Sequence, residues 1–480
     1  MSLFIRKPLA QILAQAADNE KGLKRTLGAM NLVALGIGAI IGAGLFVRTA
    51  DAAAKAAGPA VTLSFIVAAI GCALAGLCYA EFASSIPISG SAYAYAYVTM
   101  GELVAWIIGW ALIMEYALGA ATVSIAWSEY LNKLLGGAIP YEWCHSPFEH
   151  DVSGMSGIMN APALVILLLL TLLLIRGTQE SASVNAVIVF LKVSIVLVFI
   201  AVGWGYIREA NHIPYMIPEG TPGHEGIFKH GWGGVLGGAA IVFFAFIGFD
   251  AVSTTAQEAK NPGRDMPIGI LGSLAVCTVL YILFAHVLTG VANYTEFKTA
   301  GKEASVAYAI ETYMTGLEWL GTLVTVAILA GFSSVILVML MGQSRVFFSM
   351  SSDGLIPSIF GEVHPKYRTP YKSNWIVFAF VGAFAAFIPG SLAGDLTSFG
   401  TLLAFVLVSI GVVVLRRTDP DLKRPFRTPA VYIVAPLGAL VCLGMIVALD
   451  KFTLLAAFSW MALGIVVYFI YGKRNSKLRQ

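Results

Sequence analysis

Ten stretches of this chain, each at least 20 residues long, contain no Asp, Glu, Lys or Arg: 26–47, 56–80, 152–175, 230–249, 266–295, 319–344, 373–394, 396–415, 428–449 and 452–472. A helix rises about 1.5 Å per residue, so about 20 apolar residues cross a hydrocarbon layer roughly 30 Å thick. Two further windows, 103–128 and 181–207, carry one charge each, Glu115 and Lys192. The pattern predicts an all-α membrane protein with twelve transmembrane helices, and an even number of crossings puts both termini on one side. Charged residues make up 12% of the chain, about half the share of an average soluble protein. That leaves too little polar surface for a fold surrounded by water.

Lys and Arg are retained on the cytoplasmic side of membrane loops. With the N-terminus inside, 21 of the 30 fall on that side and eight on the other, with Lys192 inside a span. The expected placement is a multi-pass protein of the cell membrane with cytoplasmic N- and C-termini. The net charge of +3 follows from this loop bias and gives no ground for nucleic-acid binding. In 1–23, Leu3, Phe4, Ile5, Leu9, Ile12 and Leu13 stand between polar residues, as in a segment lying at a membrane interface. No short apolar core with a cleavage site precedes the first span, so no signal peptide is expected. Cys72, Cys78, Cys277 and Cys442 fall inside spans and Cys144 stands alone, which excludes a disulfide framework. Cys144, His145 and His150 share one loop, but their spacing fits no familiar metal site.

Two spans are abnormal. The first has glycines at 36, 38, 42 and 44, each costing about 1 kcal/mol relative to alanine in a helix interior. The sixth is interrupted by Gly248 and Asp250. Unwound backbone is tolerated at membrane depth only where protein buries it or it lines a cavity, and paired broken helices in matching halves mark a binding site. The breaks are five spans apart, which suits an inverted repeat of helices 1–5 (residues 29–208) and 6–10 (230–415). A cytoplasmic segment (1–28), a cytoplasmic loop (416–429), two peripheral helices (430–472) and a tail (473–480) complete the organisation. The helix restarting at Gly42-Ala43-Gly44 would offer N–H groups to a carboxylate. The helix stopping near Phe244, Ala245, Phe246 and Ile247 would offer carbonyls to an ammonium. Close packing of small residues is the structural alternative.

The charges within spans are costly. Lys192 has no acid in its own span, and an ammonium at that depth costs at least roughly 2.5 kcal/mol. Burial favours the neutral amine, so Lys192 is the candidate group for proton coupling; the alternative is a charged prop between helices 1 and 8. Glu115 shares a helix face with Ile108, Leu112, Gly119 and Thr122, where it would select a cationic side chain or make a structural hydrogen bond. Asp250 fits an N-cap for the second half of helix 6. Ser333 and Ser334 in helix 8 are candidate hydrogen-bonding groups near the first break, and His286 is read as a packed residue.

The strings GAIIGAGLFV (38–47), AGPAVTLSFI (57–66), GWALIMEYALGAA (109–121), FFAFIGFDAVSTTAQEAKNPGRDMPIGI (243–270), GQSRVFFSMSSDGLIPSIFGEVHPKYRTP (342–370) and RRTDPDLKRPFRTP (416–429) give the chain a resemblance to the amino acid–polyamine–organocation superfamily. Within it, the chain resembles the bacterial form of the cationic amino acid transporters. The resemblance implies a leucine-transporter-like 5+5 core plus two peripheral helices, working by alternating access. It places a carboxylate at the amides of Ala43 and Gly44 and an ammonium at the carbonyls of Ile40, Phe244 and Ile247. It matches Lys192 to a lysine that replaces a sodium site in some proton-coupled relatives. The candidate substrate-binding set is therefore Ile40, Ile41, Gly42, Ala43, Gly44, Glu115, Phe244, Ala245, Ile247 and Ser333.

The resulting expectation is proton-coupled uptake of an L-amino acid, cationic or small and neutral. H+ would be the coupling ion, with no sodium and no cofactor. Uniport, exchange or sensing without transport are the alternatives, and a small membrane subunit is left open beside the lipids. One proton falling through about 100 mV supplies about 2.3 kcal/mol, a gradient of about fiftyfold. A channel would want a continuous polar lining. No HExxH or phosphate-loop motif supports an enzyme.

Overall fold

The computed structural model describes residues 3–9, 27–88, 91–151, 154–176, 182–298, 305–367 and 369–479. The described residues form helices and turns with two isolated β-bridges and no strand. Helices satisfy their backbone internally, which is what a hydrocarbon solvent demands. In chain order the main ones are α1 (Ala29–Ile40), α2 (Val61–Ser85), α3 (Glu102–Leu134), α4 (Ala161–Arg176), α5 (Ala182–Gly203), α6 (Gly231–Val242), α7 (Pro262–Val291), α8 (Glu318–Ser352), α9 (Tyr371–Phe387), α10 (Gly390–Thr418), α11 (Val431–Val447) and α12 (Lys451–Val467). Eight described helical stretches are long and apolar enough to cross a membrane, and α1, α4, α9 and α11 are shorter apolar helices. Most of the sequence-read interfacial segment, including Ile12 and Leu13, lies outside the described residues.

Boundaries follow local chemistry. The window 152–175 becomes helical only at Ala161, where the Asn160 side chain accepts from the Ala163 amide at 3.2 Å and Pro162 occupies the first turn. Within α3, Met114–Leu118 forms a widened π turn, a feature that often accompanies functional positions.

Packing is organised by pairs. α2 lies on α7, α3 on α8 and α4 on α9, while the segments 44–48 and 243–246 meet each other. α5 touches α1, α7 and α8. α11 and α12 pack on the outside, against α10 among others, and leave Leu440 and Leu455 64% and 67% exposed, as a lipid-covered surface requires.

Glu81 closes the end of α2. Its fully buried carboxylate receives Arg416 through Nε and Nη2 at 2.8 and 2.7 Å and the Thr428 amide at 2.7 Å. This bidentate pair fastens the 416–429 loop to the bundle. Glu81→Ala strands the arginine and is expected to cost about 3 kcal/mol. The check is the temperature at which detergent-solubilised protein loses its monodisperse size-exclusion peak; a wild-type midpoint would contradict the assignment.

Candidate functional site

Both expected breaks are present. α1 ends at Ile40, Ile41 is extended, and the chain turns helical again from Ala43 through Gly44–Arg48. α6 gives way to a tight turn at Phe243–Phe246, Ile247 is extended, and Gly248 takes φ +118° before the 250–258 segment. The two breaks lie against each other. A Cβ on Gly44 would stand 2.2 Å from Ala245 Cα, and one on Gly248 would stand 2.9 Å from the Ala39 carbonyl. Real side chains do not fit in either place, and at Gly248 the left-handed backbone also favours glycine. These glycines therefore let two unwound backbones touch.

Breaking α1 frees its last carbonyls, and three of the last four have a partner. Ile37 O accepts from the Ile41 amide at 2.9 Å. Gly38 O accepts from Lys192 Nζ at 2.8 Å. Ile40 O accepts from the Tyr281 hydroxyl at 3.0 Å and keeps a second lone pair. On the other break, Phe244 O accepts from the Ile247 amide at 3.3 Å. No side chain caps the amides that begin the 44–48 turn. The arrangement offers N–H groups from one helix start beside carbonyls from two helix ends.

Lys192 is 2% exposed and lies between α1 and α8. Beyond its bond to Gly38, its Cε is 2.9 Å from where a Gly331 Cβ would be. Facing Gly42 on α8 is Val335, 3.2 Å from an added Cβ. Ser333 donates to Leu329 O of its own helix at 2.9 Å and is half-buried. Ser334 is buried with no hydrogen-bond partner.

Glu115 sits in the widened turn of α3, fully buried, beside Asp250 and Thr401. Neither of its oxygens makes a hydrogen bond of regular geometry. Asp250 differs from its expected role as a cap for the following turn. It reaches back to accept from the Gly248 amide at 3.3 Å and receives the Tyr116 hydroxyl at 3.2 Å, because the chain turns at Gly248 and brings that amide round to the carboxylate. The sequence placed each acid alone; the fold makes them neighbours.

A cavity of about 150 Å³ reaches Ala43, lined by Thr122, Arg48, Asp51, Glu129 and Gly390 among others. Arg48, counted in sequence as a loop charge, is 2% exposed. It pairs with Asp51 at 2.5 Å and with Asp395 of α10, so it joins the restarted helix to α10 at the cavity wall. Nothing in the sequence separates such an arginine from an ordinary loop cation. Tyr281 was likewise missed, since a tyrosine in an apolar span carries no signal of its hydroxyl's partner.

A family model described as amino acid permease matches residues 27–472. The chain is 43% identical, over its whole length and 99% of the relative, to a branched-chain amino acid permease of Bacillus subtilis (strain 168). It is 42% identical, over the whole of both chains, to a methylthioribose transporter of the same organism. It is 34% identical over 88% of its length, and 68% of the relative's, to a vacuolar cationic amino acid transporter of Arabidopsis thaliana.

Proposed function

The chain belongs to the amino acid permease family, and from that premise we propose that it is a proton-coupled carrier that takes up an L-amino acid by alternating access. One observation carries the reading: two broken helices touch through Gly44 and Gly248 and set helix-start amides beside helix-end carbonyls. A carboxylate suits the first group and an ammonium the second. The substrate's main-chain atoms would meet Ile41, Gly42, Ala43 and Gly44 on one side and Phe244, Ala245 and Ile247 on the other.

Twelve spans arranged as a 5+5 inverted repeat, with α11 and α12 outside it, are supported by the packing of α2, α3 and α4 on the helices five later. Cytoplasmic termini in the cell membrane are supported by the Lys and Arg bias. The proton would be carried at Lys192, whose amine already holds a carbonyl freed by the α1 break. Sodium is not part of the proposal.

A second reading has its own support, because a relative 42% identical is a methylthioribose transporter. That thio-sugar has neither carboxylate nor ammonium and would use the freed backbone groups only as neutral hydrogen-bond partners. Uptake into proteoliposomes, competed by branched-chain amino acids, lysine, alanine and methylthioribose with and without an inward proton gradient, distinguishes the readings. Saturable amino acid uptake raised by the gradient is the expected result.

Side-chain choice is assigned to the pocket wall, with Glu115 as its acidic member. Glu115→Gln is expected to weaken competition by lysine relative to leucine by about tenfold, the ratio that loss of one charge-assisted contact produces. An unchanged competition profile would return Glu115 to a structural bond with Asp250.

A further inference from the structure

Two acids, at the start of α3 and just past α8, bind the segments at both ends of the described chain. Glu102, at the start of α3, is fully buried. Its carboxylate accepts from Tyr97 at 3.1 Å, Tyr468 at 2.8 Å, Arg479 Nε at 2.6 Å and the Ser476 hydroxyl. Its amide donates to Ile5 O at 3.0 Å, and the next amide, Leu103, donates to Leu3 O at 3.2 Å. Asp353, just past α8, accepts from Lys7 Nζ at 3.0 Å and Tyr93 at 2.8 Å, and its carbonyl accepts from the Lys477 amide at 3.1 Å. Residues 3–9 and 476–479 thus cross the ends of α3 and α8 and meet at Glu102.

We propose that these two segments form a detachable strap that holds the end of the molecule nearest the termini closed. Each acid has two kinds of partner. Tyr97, Tyr468 and Tyr93 ride on helical elements and stay in place; Arg479 and Lys7 arrive on the non-helical segments. When the segments leave, Tyr97, Tyr468 and Tyr93 still donate to the two carboxylates, while the Glu102 and Leu103 amides give up Ile5 O and Leu3 O. Water entering where the segments lay replaces the lost partners, so release costs less than breaking an ion pair that stays buried. A simple packing contact would not need this duplication.

The position of the strap agrees with the state of the cavity. Glu129, on the cavity wall, is 27 residues along α3 from Glu102, about 40 Å at helical rise. The strap is therefore engaged at one end of α3 while the space leading to Ala43 lies near the other. At the strap's end, Leu27 pairs with the stretch after the second break, its amide donating to Glu258 O at 3.0 Å and its carbonyl accepting from the Lys260 amide at 2.8 Å. Opening there has to part this broken-helix pair from α3 and α8, which the strap braces.

The inference rests on the alternating-access reading, and its test separates the two. Ser352→Cys and Lys477→Cys place thiols where Lys477 Nζ now reaches Ser352 O at 2.7 Å; the five native cysteines are buried. A short bis-methanethiosulfonate linker locks the strap, and reductant cleaves it. The locked protein is expected to bind amino acid within about twofold of the unlocked one but to transport it at least about tenfold more slowly, with recovery on reduction. Transport at the unlocked rate would overturn the strap. Absence of amino acid binding before any cross-linking would instead overturn the reading of the site. Should the double variant not fold, Arg479→Ala decides: exchange about threefold faster supports the strap, and an unchanged or slower rate overturns it.

Discussion

Gly44→Ala is expected to abolish detectable transport and to weaken substrate binding by about a hundredfold or more. The added carbon would lie 2.2 Å from Ala245 Cα and 2.7 Å from Ala245 N and Cβ, and backbone cannot rotate away as a long side chain can. Relief requires the second break to move by about 1 Å, a displacement that commonly costs about a hundredfold where groups must be placed together. Overpacking adds about 1–3 kcal/mol of instability, so binding is compared at matched folded fraction. Gly444→Ala in α11 is the control, since an added Cβ there would meet nothing within 4 Å, and it is expected to behave as wild type. Normal transport by Gly44→Ala would mean that the breaks are not in contact when substrate is held.

Lys192→Ala is expected to remove accumulation driven by a proton gradient while leaving exchange of labelled for unlabelled substrate within a few-fold. The lysine bridges to Gly38 O, two residues before the break, and its stem lies against Gly331 of α8. A proton leaving that amine weakens the tie between α5 and the end of α1, which is the change that coupling needs. The substitution also strands a carbonyl, at about 1–3 kcal/mol, so some loss of affinity accompanies it. If Lys192 were only a prop, accumulation and exchange would fall together. Proton-driven accumulation at the wild-type level would contradict the coupling role outright.

The broken helices were legible in the sequence because glycine is expensive inside a span and the glycine-rich first span is matched, five spans later, by one interrupted at Gly248 and Asp250. Close packing of small residues, the competing use, does not call for that match. Lys192 stood out for the same reason: a lone charge in an apolar run has to be explained. What stayed hidden was tertiary pairing. Glu115 and Asp250 are 135 positions apart, and nothing local says that they are neighbours. Asp250 looked like a cap because the sequence around it reads as a helix start, whereas the positive φ of Gly248 turns its amide toward the same carboxylate. Arg48 and Asp395 each border a charge-free window and so resembled loop charges, although the fold buries the arginine and joins the two. Ser333 was chosen for its polarity, yet Gly331 and Val335 are the α8 residues against Lys192 and Gly42. Helical phase alone could not indicate which face of α8 meets the breaks.

The account stands on the claim that the breaks recognise the two charged groups of an amino acid's main chain. Competition against uptake of a labelled L-amino acid tests it most directly, using the parent compound, its carboxamide and its N-acetyl derivative. Each altered compound leaves one set of backbone groups without its charged partner, and a site built on such hydrogen bonds rejects the analogue strongly. Both are expected to compete at least about a hundredfold less well than the parent. Equal competition by either one would contradict it.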